Sequence, residues 1–137
     1  MKFGITFKGE GSPERTRYLV RQAEAAGFEY SWFFDSHILW RDSYVTIAMC
    51  IEHTQTMRFG PCVTNPGVRD WSVAASLFGS LAFQSGGRFD IGVGAETVHF
   101  VSWAKGPRIS AKWLISVTRS DRWFAALKRF MRTAQFQ

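Results

Sequence analysis

The strongest constraint on this chain is the order of its apolar segments: short strand-like runs alternate with capped, helix-periodic stretches from residue 2 to residue 93. Residues 2–7 are rich in apolar and β-branched side chains and end at Lys8-Gly9-Glu10-Gly11, which predicts a strand and a turn. Ser12 then predicts a helix N-cap, with Pro13 at the first helical position and Glu14 in the first turn, where an acid favours the helix dipole. Leu19, Ala23 and Ala26 recur at helical spacing, and Gly27 supplies the left-handed stop. The same reasoning predicts strands over 30–34, 58–63 and 89–93, and helices over 44–52 and 72–84.

Strands separated by whole helices pair in parallel through right-handed crossovers, because an antiparallel hairpin needs only a short turn. A doubly wound sheet usually carries a glycine-rich phosphate loop after its first strand, and Lys8-Gly9-Glu10-Gly11-Ser12 does not fit that pattern. A barrel gathers polar residues at the C-terminal ends of its strands instead. This chain places Asp35-Ser36-His37 after the second strand and Thr64-Asn65 after the third. A complete barrel takes about 250 residues. The expectation is therefore α/β: a partial (β/α)8 TIM barrel of about four β/α units with a divergent C-terminal tail.

Charge divides the chain at the same place. Residues 1–95 hold nine basic and nine acidic side chains, whereas 96–137 hold eight basic residues against Glu96 and Asp121, which accounts for the whole net charge of +6. Residues 1–95 read as one unit and 96–137 as a basic, tryptophan-containing tail. Cys50 and Cys62 sit in apolar segments without Cys-x-x-Cys spacing, so both are expected to be buried free thiols. No metal-ligand pattern is present, no run of about 18 apolar residues could span a bilayer, and Met1-Lys2-Phe3-Gly4-Ile5 is not a signal peptide, so a cytoplasmic protein is expected.

Several segments in the right order carry a family resemblance. They include Arg21-Gln22-Ala23-Glu24-Ala25-Ala26-Gly27-Phe28, Trp32-Phe33-Phe34-Asp35-Ser36-His37, Phe59-Gly60-Pro61-Cys62-Val63-Thr64-Asn65-Pro66 and Ser85-Gly86-Gly87-Arg88-Phe89. The chain resembles the luciferase-like monooxygenase superfamily, and more narrowly its deazaflavin (coenzyme F-420) dependent oxidoreductases, including the methylene-tetrahydromethanopterin reductases. The resemblance covers residues 1–95 and implies a (β/α)8 barrel that moves a hydride between coenzyme F-420 and a small organic substrate. FMN with oxygen is the alternative chemistry.

By this resemblance Asp35 and His37 fall where the family places an acid and a histidine beside the coenzyme ring and substrate. An imidazole there can supply or remove the proton that accompanies hydride transfer. Cys62, Val63, Thr64 and Asn65 correspond to a third-strand bulge behind the ring, often with a non-proline cis peptide. Gly94 and Ala95 correspond to the backbone that approaches the coenzyme. Ser85-Gly86-Gly87-Arg88 reads as structural, and His53 as a partner for the carbonyls ending the second helix.

Past residue 95 the resemblance stops. Relatives continue with G-x-G-x-x-[DE] and then R-x-L-G-x-x-P, where this chain has Glu96-Thr97-Val98-His99-Phe100-Val101-Ser102-Trp103-Ala104-Lys105-Gly106-Pro107. Codons for those residues, read one base earlier, can encode G-D-S-S-F-R-V-L-G-K-G-P, and the glycine spanning Trp103 and Ala104 is forced. A one-base frameshift near residue 95 is the expectation, leaving an N-terminal half with little or no activity. Taken at face value, the tail from Ser120 reads as a basic amphipathic helix, which would make a non-enzymatic binder of nucleic acid or anionic membranes the competing function. Half a barrel would also expose the edges of its first and fourth strands, through which a homo-dimer could form. Sequencing the gene and its transcript from independent isolates should reveal a one-base insertion or deletion near codon 95. An unbroken frame encoding this tail in all of them overturns the frameshift.

Overall fold

In a computed structural model, which describes residues 1–65, 67–94 and 113–117, the chain forms an α/β fold. β1 (Gly4–Phe7), α1 (Pro13–Ala25), β2 (Tyr30–Phe33), α2 (Ser43–Ile51), β3 (Arg58–Pro61), α3 (Trp71–Gln84) and β4 (Phe89–Val93) follow in order, with a further strand β5 (Trp113–Val117). β1 to β4 pair in parallel and in chain order, each helix carrying the chain to the next strand position.

The helix-facing side of the sheet is built from one phenylalanine per strand. Register sets Phe7 opposite Phe33 and Phe59 opposite Phe89, and none of the four is more than 9% exposed. Tyr44, Ile47, Cys50 and Ile51 of α2 and Phe78, Leu81 and Ala82 of α3 close over them. Ring contacts continue the core from Tyr44 to Phe78 at 5.5 Å and from Phe78 to Phe89 at 5.9 Å. The opposite face carries Trp32 stacked on Tyr30 and crossing Gly60, where an added Cβ would meet the Asp90 carbonyl and the indole ring.

Caps explain the helix starts. Ser12 Oγ accepts from the Arg15 amide, and Asp42 and Asp70 accept from Tyr44 and Ser72 at 2.9 and 2.8 Å. Gly27 ends α1 with φ +86°, and Gly86 and Gly87 follow α3 with φ +66° and +89°. The buried stripe of α1 is Thr16, Val20 and Ala23, while Leu19 is 38% exposed and Ala26 is exposed. A 3.6-residue period starting from Thr16 leaves Leu19 on the flank of the stripe, and Ala26 lies just past the helix.

Charged side chains tie one unit to the next. Arg88 donates to the carbonyls of Ile51, Thr54, Met57 and Ser85 and to the Thr54 hydroxyl, as its structural reading implies. His53 Nδ1 lies 2.8 Å from the Met49 carbonyl at the end of α2. Arg58 and Asp90 form a two-pronged pair, both contacts 2.7 Å, between β3 and β4. Glu24, at the end of α1, accepts from the backbone amides of Gln55, Thr56 and Met57 and from the Thr56 hydroxyl.

β5 pairs antiparallel with β4 along its whole length, from Phe89 opposite Val117 to Val93 opposite Trp113. The sequence reading left the outer edge of β4 open; among the described strands β5 covers it, and the edges of the sheet are β1 and β5. Ala95 and the amphipathic segment from Ser120 lie outside the described residues. Among those described, no helix is long and apolar enough to cross a membrane, and no group of His, Cys, Asp and Glu is arranged to hold a metal ion.

Glu24 gives the fold a defined acid sensitivity. Burial works against its charge, but the amide and hydroxyl donors outweigh burial and hold the carboxyl below its ordinary 4.5. A carboxylate with a depressed folded pKa stabilises fully above its unfolded value and loses that stabilisation as pH falls through the folded one. Urea midpoints of the native chain should therefore decline below pH 4.5 more steeply than those of Glu24→Gln. Parallel declines would show that the carboxylate does not carry this tie.

Candidate active site

Parallel pairing brings the C-terminal ends of β1 to β4 to one edge of the sheet, and the polar residues that follow the strands collect there. Asp35, two residues beyond β2, is the centre of the group, with its side chain 3% exposed. Its Oδ2 accepts from the Tyr44 hydroxyl at 2.8 Å and from the Thr64 hydroxyl at 2.6 Å, and Oδ1 lies 3.5 Å from a guanidinium nitrogen of Arg69. Four chain segments thus meet on one carboxylate: the end of β2, the first turn of α2, the end of β3 and the loop before α3.

β3 shows why Thr64 can reach. The strand ends at Pro61, the Cys62–Val63 peptide is cis, and the chain rejoins β4 as a bridge between Thr64 and Val93. Cys62 N donates to Phe33 O at 2.7 Å, Thr64 N to Gly92 O at 2.8 Å, and Gly94 N to Thr64 O at 3.0 Å. This is a strand-end bulge with both flanks hydrogen-bonded into the sheet. Gly92 is required by the approach, because a Cβ there would stand 2.6 Å from the Pro61 carbonyl.

Electrostatics follow from this enclosure. Burial, and then the Asp35 carboxylate, push the Tyr44 phenol well above its ordinary value, so Tyr44 remains a hydroxyl donor. Burial works against the Arg69 charge, but Asp35 and Asp42 outweigh it and raise its pKa. Arg69 also lies over the Tyr44 ring at 5.0 Å.

Among the residues singled out from sequence, Asp35 and Thr64 are hydrogen-bonded to each other. Asn65 is buried beside them; its Oδ1 accepts from Gly67 N at 2.8 Å, while Nδ2 has no partner among the described residues. His37 is exposed on the loop after β2. Gly94 is buried at the end of β4, and Val63 is half-buried. Cys62 corrects an expectation: Cys50 is buried, its thiol pushed up to about 12 by burial, whereas Cys62 is exposed, because it lies past the last strand residue. Tyr44 and Arg69 are the site residues the sequence did not mark. Tyr44 reads as one more apolar-face residue of α2, and no local pattern points from Arg69 to Asp35.

Parallel β/α units with polar side chains gathered at the C-terminal strand ends are the arrangement of (β/α)8-barrel proteins. The chain belongs to the luciferase-like monooxygenase family, whose profile matches residues 1–101. It is 36% identical over 110 residues to 5,10-methylenetetrahydromethanopterin reductase of Archaeoglobus fulgidus, covering 77% of this chain and 33% of that protein. The solved structure of the coenzyme F-420 dependent tetrahydromethanopterin reductase of Methanopyrus kandleri superposes with a TM-score of 0.66 at 32% identity, over 69% of this chain and 27% of that one. The oxygenating constituent of 3,6-diketocamphane monooxygenase of Pseudomonas putida, in complex with FMN, shares the fold with a TM-score of 0.63 at 18% identity, over 71% and 30% of the two chains. The chain thus spans about a third of the length of the relatives it matches.

Two hydroxyls donating to one carboxylate oxygen should be energetically coupled. A double-mutant cycle of Tyr44→Phe and Thr64→Val, read by denaturant unfolding, should give an interaction energy of about 1 kcal/mol. Additive effects would show that the two donors do not share Asp35.

Proposed function

We propose that this chain contributes the coenzyme-facing strand ends of an oxidoreductase that moves a hydride between coenzyme F-420 and a small organic substrate. The observation carrying this reading is the cluster on Asp35, beside the buried amide of Asn65 that has no partner among the described residues, at the strand ends of a chain more than 30% identical to two reductases, one of them named for that coenzyme. A buried amide donor without a partner costs roughly 1–3 kcal/mol, and the carbonyl-rich ring of a deazaflavin offers the acceptors it lacks. The residues present therefore fit the coenzyme.

In this reading Asn65, with Cys62, Val63 and Thr64 of the bulge, backs the ring, and the backbone at Gly94 and Ala95 lies against it. Thr64 keeps lone pairs free to accept while its proton goes to Asp35. Asp35 fixes the two hydroxyls and the guanidinium around it, and His37 holds or moves the proton that balances the transfer. When bound, the coenzyme supplies or takes up the hydride. FMN is the alternative coenzyme; its support is a neighbour alike in fold alone.

The 137-residue chain by itself is proposed to be a weak binder with little or no turnover, because what it matches is only 33% and 27% of the length of two of its relatives. The frameshifted origin of residues 96–137 belongs to the same proposal, although the family match runs six residues beyond residue 95, to residue 101. Titration of isotope-labelled chain with coenzyme F-420 and, separately, FMN tests it by amide shifts. Weak, F-420-preferring shifts should concentrate at residues 35–37, 62–65 and 92–94. Shifts elsewhere only would refute the site, tight stoichiometric FMN binding would refute the deazaflavin assignment, and tight F-420 binding would refute the weakness of the isolated chain.

A further inference from the structure

The loop from Asp35 to Asp42 leaves β2, carries His37 and enters α2. Both of its ends are acidic, and both face one atom: a single Arg69 guanidinium nitrogen lies 3.5 Å from Asp35 Oδ1 and 3.1 Å from Asp42 Oδ2. Asp42 is the N-cap of α2, accepting from Tyr44 N and Val45 N through Oδ1, so its second oxygen is the one given to Arg69. Two carboxylates at the ends of a short loop repel each other, and a cation between them turns that repulsion into closure. We propose that Arg69 is the positioning residue of this site, clamping the two ends of the 35–42 loop and thereby fixing the position of His37 within it.

Three further features agree. The Arg69 guanidinium packs on the Tyr44 ring, whose hydroxyl donates to Asp35, so Arg69, Asp35 and Tyr44 form a closed triangle rather than a lone ion pair. Within the loop, Ser36 O accepts from Leu39 N at 3.1 Å and Trp40 N at 2.9 Å, so a closed loop has its own internal hydrogen bonds to protect. On the far side, Arg41 donates to the carbonyls of Glu10 and Gly11 at 3.5 and 3.1 Å, and Lys8 lies over the Trp40 ring, so residues 40 and 41, next to Asp42, also contact the turn after β1. Lysine could not reproduce the clamp fully, since a compact ammonium lacks the flat face that covers Tyr44.

The catalytic meaning of the clamp rests on His37 as the proton carrier; the clamp itself does not. The test therefore uses the native 137-residue chain without coenzyme, comparing amide hydrogen exchange in wild type, Arg69→Met and Arg69→Lys. Met keeps the length of the stem and removes the charge. In Arg69→Met the Leu39 and Trp40 amides should exchange about tenfold faster or more and the His37 amide resonance should move, while the inter-strand amides of Phe59 and Cys62, bonded to Arg88 O and Phe33 O, keep their rates. Arg69→Lys should recover part of the loop protection. Unchanged Leu39 and Trp40 rates in Arg69→Met, or an equal acceleration at Phe59 and Cys62, would overturn the clamp. The coenzyme titration stands or falls separately, because no coenzyme enters this measurement.

Discussion

Register is the constraint on which the site depends. Phe7 opposite Phe33 and Phe59 opposite Phe89 fix how far each parallel strand runs before it ends, and this alignment packs all four rings into one core with residues of α1, α2 and α3. A strand rises about 3.3 Å per residue, and its facing repeats every two residues, so the nearest alternative register that keeps the phenylalanines inside moves a strand end by about 6.6 Å. Asp35 and Thr64 are 2.6 Å apart between β2 and β3. Such a slip would separate them beyond any hydrogen bond. The core and the polar cluster are therefore one decision: packing the apolar face correctly is what delivers the donors to the carboxylate.

Loops between parallel strands leave backbone groups that the sheet cannot satisfy, and this chain satisfies them with charged side chains sent from a neighbouring unit. Arg88, from the start of β4, reaches carbonyls between Ile51 and Met57; Glu24, from the end of α1, takes amides of the same connection from the other side. The segment between α2 and β3 is held by a cation on its carbonyls and an anion on its amides. Arg88 is the costlier partner, since burial lowers its pKa, and Glu24 and Thr54 lie within its surroundings as partial compensation. By contrast, the Lys2–Glu29 pair at 2.9 Å is solvent-exposed on both sides, a setting in which ion pairs contribute little.

Local chemistry made the fold legible. Ser12-Pro13, Gly27 and Gly86-Gly87 set helix boundaries through capping and left-handed backbone, and the structure places them within a residue or two of where the sequence does. Asp35, Thr64 and Asn65 could be marked because strand ends are where parallel folds collect polar groups. Tyr44 and Arg69 could not, since their roles arise from contacts across 9 and 34 residues of chain to Asp35, and a tyrosine on the apolar face of α2 is indistinguishable by periodicity from its neighbours. Leu19 shares the helical spacing of Ala23 but lies on the flank of the stripe that Thr16, Val20 and Ala23 bury. β5 was missed although Trp113-Leu114-Ile115-Ser116-Val117 is β-prone: its partner and direction are set by the free edge of β4, which no local pattern encodes.

That last pairing bears on how the sheet can continue. A strand edge has one row of amides and carbonyls, and β4 spends its outer row on β5, antiparallel, across all five residues from Phe89 to Val93. A (β/α)8 barrel requires a parallel strand in that place, delivered by a further β/α unit. The two arrangements compete for the same hydrogen bonds, so β5 on β4 and barrel continuation from β4 exclude each other. In the arrangement seen here, the strand ends bearing Asp35, Thr64 and Gly94 are tied to one another by Cys62 N to Phe33 O, Thr64 N to Gly92 O and Gly94 N to Thr64 O.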